Sequence, residues 1–164
     1  VELKVFEHFT RTCENSMVRS GKKIWWHHID NTYSDNSRYD GNASKERPID
    51  IDVFIKKDSG EEVWCEVKSA SSSGLEKGRK QLKVFLDFIK NFDCKPIPQF
   101  KLIIYKPEET ELDHLEDKIQ LIKNDFGELS GFSVEISCVD IPIGNNVLPN
   151  ATKLFGSELS FSTI

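Results

Sequence analysis

The stretch from Pro48 to Ser73, PIDIDVFIKKDSGEEVWCEVKSASSS, decides the fold. Its first run alternates strictly, with Ile49, Ile51, Val53 and Ile55 on one face and Asp50, Asp52 and Phe54 on the other. KKDSGEE then supplies turn chemistry, with Asp58, Ser59 and Gly60 at the tip. Alternation resumes from Val63 to Lys68: Val63, Cys65 and Val67 on one side, Trp64, Glu66 and Lys68 on the other. The pattern predicts a β-hairpin. If Ser59 centres the turn, Asp52 faces Glu66 and Asp50 faces Lys68.

Directly opposed side chains stand ~5 Å apart at their Cβ atoms, and like charges there destabilise a sheet. A facing Asp–Glu pair therefore calls for a cation. Mg²⁺ suits it, because that ion takes one or two protein carboxylates and keeps positions for water and phosphate. Lys68 shares the face of Glu66, where an amine can stabilise a pentavalent phosphate or orient and deprotonate an attacking water. The plainer alternative is a solvated hairpin face with Asp50 and Lys68 as an ordinary ion pair. The acid-x-lysine tripeptide does not decide by itself. Glu2-Leu3-Lys4, Asp93-Cys94-Lys95 and Glu116-Asp117-Lys118 repeat it, but on predicted helices or helix ends, where such residues do not share a face.

Upstream, Val1 to about Asn15 reads as a helix through Phe6, Phe9 and Cys13, Gly21 punctuates, and KKIWWHHI from Lys22 to Ile29 reads as a strand. The polar stretch Asp30 to Arg47 is too long for a simple connection. Tyr33, Tyr39 and Arg38 in it are candidates to stack on bases, and Arg47 to meet a phosphate.

Downstream, Gly74 to Asp93 has helical spacing, with Leu82, Phe85, Phe88, Ile89 and Phe92 as the buried stripe. Lys77, Arg79, Lys80 and Lys83 crowd its first two turns, a candidate grip on a phosphate backbone. Phe100 to Tyr105 reads as a central strand. Pro107 reads as a helix start followed by Glu108, Glu109 and Glu111, with Leu112, Leu115, Ile119, Ile122 and Phe126 as the apolar stripe. Phe132, Val134, Ile136 and Cys138 alternate as a last core strand. From Gly144 to Ile164 only turns and at best one strand are legible. The expected order is α-β-β-β-α-β-α-β, an α/β (α+β) domain over residues 1–164 with a mixed sheet flanked by helices. Its core spans about 1–140, and 141–164 is an irregular C-terminal extension.

The chain has 164 residues, 38% hydrophobic and 30% charged, enough for one core without staples. A net charge of -5 excludes a generally basic nucleic-acid coat but not a local basic face. No run approaches the roughly 18 apolar residues of a membrane span, so no membrane partner is expected. Cys13, Cys65, Cys94 and Cys138 lie far apart without zinc spacing and read as free thiols of a reducing compartment. His27 and His28 point to opposite faces of a strand and cannot share a metal. His8 and His114 read as isolated helix residues. The first residue is Val rather than Met, which fits a processed chain or a part of a longer protein.

Asp50 and Asp52 followed by Glu66-Val67-Lys68 resemble the signature of the PD-(D/E)XK nuclease superfamily, the restriction-endonuclease-like fold. That family's core runs helix, three antiparallel strands, helix, strand, which matches the expected order from about Val1 to Tyr105. The resemblance implies a glutamate on the first helix that reaches the metal site, here Glu7 with Glu2 as the alternative. It also implies a glutamine opening the next helix, and Gln81 followed by Phe85 matches with Phe where Tyr is common. Gln81 would then position Lys68 or a phosphate. This chain departs from the family in placing Ile49, not an aspartate, directly after Pro48. Register favours Asp52 as the ligand, whereas nearness to the proline favours Asp50.

The implied activity is Mg²⁺- or Mn²⁺-dependent hydrolysis of phosphodiester bonds of DNA, ahead of RNA, with a cytoplasmic site of action. Asp52 and Glu66 would hold the ion, and Lys68 would act on the nucleophilic water. The fold also hosts inactive members that bind nucleic acid or protein without cutting. A compact acidic nuclease without a recognition domain further fits the toxic C-terminal module of a larger delivered protein, or the nuclease part of a larger complex. As a toxin module it would need an acidic immunity partner over the basic helix. Oligomeric state is not legible, although cutting both strands of a duplex calls for a dimer.

Overall fold

The computed structural model describes residues 1–39, 45–107, 110–129, 131–141 and 159–164. Helix α1 (Glu2–Thr12) precedes strand β1 (Ser16–His27), a short β2 (Thr32–Ser34), and the hairpin of β3 (Glu46–Lys57) and β4 (Glu62–Ser69). Helix α2 (Ser72–Phe92), strand β5 (Gln99–Pro107), helix α3 (Glu116–Phe126), β6 (Glu128–Leu129), β7 (Phe132–Ile141) and β8 (Ser160–Thr163) follow. The strands form one mixed sheet in the order β2-β1-β3-β4-β5-β7-β6, with β8 also pairing β7. β4, β5 and β7 are parallel, and the other pairs are antiparallel. Parallel neighbours need crossovers, and α2 and α3 provide them.

Each face of the sheet buries its own core. Leu75, Leu82, Phe85, Phe88 and Ile89 of α2, with Ile119, Ile122 and Phe126 of α3, pack against Trp64, Phe100, Leu102, Ile104 and Phe132. Trp64 meets Phe85 and Phe100 edge to face at 5.5 and 5.4 Å between centroids, while Phe85 and Phe100 stack at 5.1 Å. On the opposite face, Val5 and Phe9 of α1 meet Val53, Ile55, Val63, Cys65, Val67 and Ile103.

The expected alternation of β3 is interrupted. Ile49 and Ile51 belong with Phe54 to the α2 layer, whereas Val53 and Ile55 belong to the α1 layer. β1 changes layers at the same level, with Ile24 in the α2 core and Val18 against the α1 core. Between the rungs Ser20–Val53 and Lys22–Ile51, the Gly21–Asp52 rung is missing, and Gly21 has φ +69°. Glycine adopts that conformation without a Cβ penalty, so the switch falls where the sequence can tolerate it. Asp52 sits at the point where the strand turns over.

Other expectations need correction. The polar stretch 30–47 contains β2, and β1 begins at Ser16, six residues before the expected start. Pro107 ends β5 instead of opening a helix, and α3 begins at Glu116 after a 3-10 turn at Asp113–Leu115. Glu111 therefore precedes the helix, while Glu108 and Glu109 lie outside the described residues. Of the extension 141–164, residues 142–158 lie outside the described residues and Ser160–Thr163 is a strand. All four cysteines are free, and Cys65 is fully buried. Burial pushes its thiol up to about 12.

Candidate active site

The hairpin keeps the expected register: Val53 pairs with Cys65, Phe54 with Trp64 and Ile55 with Val63. Beyond Val53–Cys65 the ladder stops, so the expected Asp52–Glu66 rung is not among the paired residues. There the carboxylate of Asp52 replaces a backbone partner, its Oδ2 accepting the N–H of Val67 at 2.7 Å. The Lys68 ammonium lies 3.5 Å from the same oxygen, donates to Val67 O at 3.1 Å, and contacts Glu66 Oε1. Three oxygens from two strands thus converge on one amine.

Burial sets the electrostatics. Glu66 is 5% exposed, and its Oε2 has no hydrogen-bond partner among the described residues. Desolvation, helped by the nearby Asp52 charge, pushes the Glu66 carboxyl up to about 7 against a smaller opposing pull from Lys68. For Lys68, burial disfavours the charged amine, but Glu66 and Asp52 outweigh it and hold the ammonium above the usual lysine range. The floor of the site is α2: a Cβ on Gly78 would come within 2.8 Å of Leu102 Cδ1 and 3.5 Å of Lys68 Cγ. Ser71 caps that helix, its hydroxyl accepting the Gly74 N–H at 3.0 Å.

The remaining candidates divide. Asp50 does not face Lys68; its carboxylate pairs with Lys23 of β1 at 3.1 Å and is more than half exposed. β3 has β1 as a second neighbour at that level, with Lys23 opposite Asp50. Gln81 is not bonded to Lys68; its Nε2 donates to the backbone oxygen of Asp50 at 2.9 Å. It braces β3 two residues before Asp52. Glu7 pairs with Arg11 at 3.8 Å along α1, while the charge of Glu2 acts on Glu66. Among the described residues no third carboxylate, histidine or cysteine joins Asp52 and Glu66 in a metal-holding group.

Among the basic residues, Arg79 forks onto Asp125 of α3 at 2.6 and 2.8 Å and fastens the two helices. Lys80 lies 3.9 Å from Glu76, and Lys77 and Lys83 are exposed. Arg38 pairs with Asp30 at 2.8 Å, and Arg47 is half-buried. Tyr33 stacks edge-on against Phe88 and Phe92, and Tyr39 against His27.

Two features escaped sequence reasoning. The backbone oxygen of Val67 has no sequence signal. The other is a buried knot in which His27, fully buried, places Nδ1 2.9 Å from Glu46 Oε1 but off the line of a hydrogen bond. Its Nε2 lies 2.7 Å from Ser34 Oγ, while Ser37 and the Arg38 N–H donate to Glu46. The HH pair adjoining a polar stretch was the available signal. Searches against protein-family models, curated proteins and solved structures give no match to this chain.

Asp52, Glu66 and Val67 O fit a small divalent cation. The observation that favours one is that an ammonium already stands among these oxygens while Glu66 Oε2 is buried without a partner among the described residues.

Proposed function

We propose that this chain is a divalent-metal-dependent nuclease with a restriction-endonuclease-like core, hydrolysing phosphodiester bonds of DNA ahead of RNA. The observation that carries the reading is the convergence of Asp52 and Glu66 on one position with the Lys68 amine beside them. The order helix, three antiparallel strands, helix, parallel strand supports the core assignment.

In this reading Asp52, Glu66 and the Val67 carbonyl hold Mg²⁺ or Mn²⁺. When bound, the ion supplies Lewis-acid polarisation of the phosphate and an acidified water. Lys68 directs its amine at the attacking water or the scissile phosphate. Gln81 holds β3 in place through Asp50 O, and Lys77 and Lys83 on α2 attract the backbone. Glu2, whose charge acts on Glu66, is the α1 carboxylate that assists in place of Glu7, which pairs with Arg11.

The test is incubation of plasmid, single-stranded DNA and tRNA with Mg²⁺ or Mn²⁺, beside Glu66→Gln and Lys68→Ala. The expected result is metal-dependent cleavage lost in both variants by at least ~10²-fold. Cleavage that survives both substitutions removes the proposed site. A chain that binds these substrates without cutting them would instead be a non-catalytic member of the fold. Poor expression without an immunity partner, rescued by Lys68→Ala, would mark a toxin module.

A further inference from the structure

Lys68 stands inside the oxygen cluster, not at its rim. Its Nζ lies 3.5 Å from Asp52 Oδ2 and 3.1 Å from Val67 O, in contact with Glu66 Oε1. These are the same three oxygens that would hold a divalent ion. With both carboxylates ionised, the ammonium offsets one of their two charges, whereas a divalent ion in its place offsets both. Glu66 Oε2, buried and without a hydrogen-bond partner among the described residues, is the acceptor that the ammonium leaves unused. Gly78 of α2 faces the lysine stem without a side chain, and a Cβ there would stand 3.5 Å from Lys68 Cγ.

We infer that Lys68 is the resident cation of the metal-free site, and that a divalent ion enters only as the Lys68 ammonium leaves. The inference rests on the nuclease reading and adds a control to it. The ammonium keeps two converging carboxylates from repelling each other while no metal is present. It also sets a threshold that a cation must exceed, and its displacement frees the amine to face water or phosphate. Metal loading and arming of the lysine become one event.

The test titrates Mn²⁺ into the whole chain by calorimetry, without nucleic acid, for the wild type, Lys68→Met, Lys23→Met and Glu66→Gln. Lys23 pairs with Asp50 at 3.1 Å outside the cluster, so its neutralisation removes the same charge without vacating the oxygens. Lys68→Met is expected to bind Mn²⁺ about tenfold tighter or more, Lys23→Met within about twofold of the wild type, and Glu66→Gln far more weakly. In the wild type, acetylation of Lys68 followed by peptide mass spectrometry should be slow without metal and accelerate with saturating Mn²⁺. That measurement stands even if Lys68→Met fails to fold. Equal Mn²⁺ affinity in the wild type and Lys68→Met, or Lys68 labelling indifferent to Mn²⁺, overturns the displacement while leaving a metal site intact. No Mn²⁺ uptake by either protein overturns the nuclease reading and this inference together.

Discussion

The carboxylate of Asp52 accepts the backbone N–H of Val67 at 2.7 Å, one residue past the last rung of the hairpin ladder. Asp52 is therefore a member of the sheet as well as of the candidate site, and two substitutions separate these roles. Asp52→Asn keeps an oxygen for the Val67 N–H and removes the charge. Asp52→Ala leaves a buried donor unmet, which costs about 1–3 kcal/mol. Urea unfolding should place Asp52→Asn near the wild type and Asp52→Ala lower by that amount, while Mn²⁺ calorimetry shows binding lost in both.

Glu66 gives the fold a pH dependence of definite sign. Its carboxyl is raised from 4.5 to about 7, so between those values the folded chain holds a proton that the unfolded chain releases. Stability from this group is full below pH 4.5 and is lost as pH rises through 7. Urea midpoints measured from pH 5 to pH 8 should fall more for the wild type than for Glu66→Gln. An equal fall in both would remove Glu66 as the source. Binding of a divalent ion below about pH 7 should also release a proton, visible in buffers of different ionisation enthalpy.

Gly78 is expected to resist substitution. Alanine is favoured over glycine in a helix by about 1 kcal/mol. Here, however, its Cβ would come within 2.8 Å of the fully buried Leu102, and such overpacking costs about 1–3 kcal/mol. Gly78→Ala should therefore lower the unfolding midpoint or leave it level. A clear gain in stability would mean that α2 can move away from β5.

The basic residues of α2 should separate in a salt titration of DNA binding. Lys77→Ala and Lys83→Ala are each expected to reduce the slope of log K against log salt by about 0.9 if each meets one phosphate. Arg79→Ala should leave that slope unchanged and lower stability instead, because its guanidinium is spent on Asp125. A slope reduced by Arg79→Ala would return that residue to the binding face.

The hairpin and its register were legible because the turn residues locate the tip, and β-pairing then counts outward from it. Asp52, Glu66 and Lys68 could be brought together on paper for that reason. The partner of Asp50 was not legible, since Lys23 comes from a strand distant in sequence. The layer switch in β3 was hidden for a related reason. Ile49, Ile51, Val53 and Ile55 look like one face, but both faces of a central strand are apolar, so alternation cannot say which helix layer each residue meets. Pro107 carried every mark of a helix start, yet the pairing of β5 with β7 runs on to Pro107 opposite Ile141. A tertiary ladder overrode a local signal.

The crossing of β1 and β3 between layers at Gly21 and Asp52 ties the fate of the candidate site to both halves of the interior. Opening of either helix layer would strip support from the same short length of backbone. Amide exchange at Asp52 and Val67 should accordingly follow whichever half opens first, and no partly open form with only one layer intact should retain the geometry needed to hold a cation.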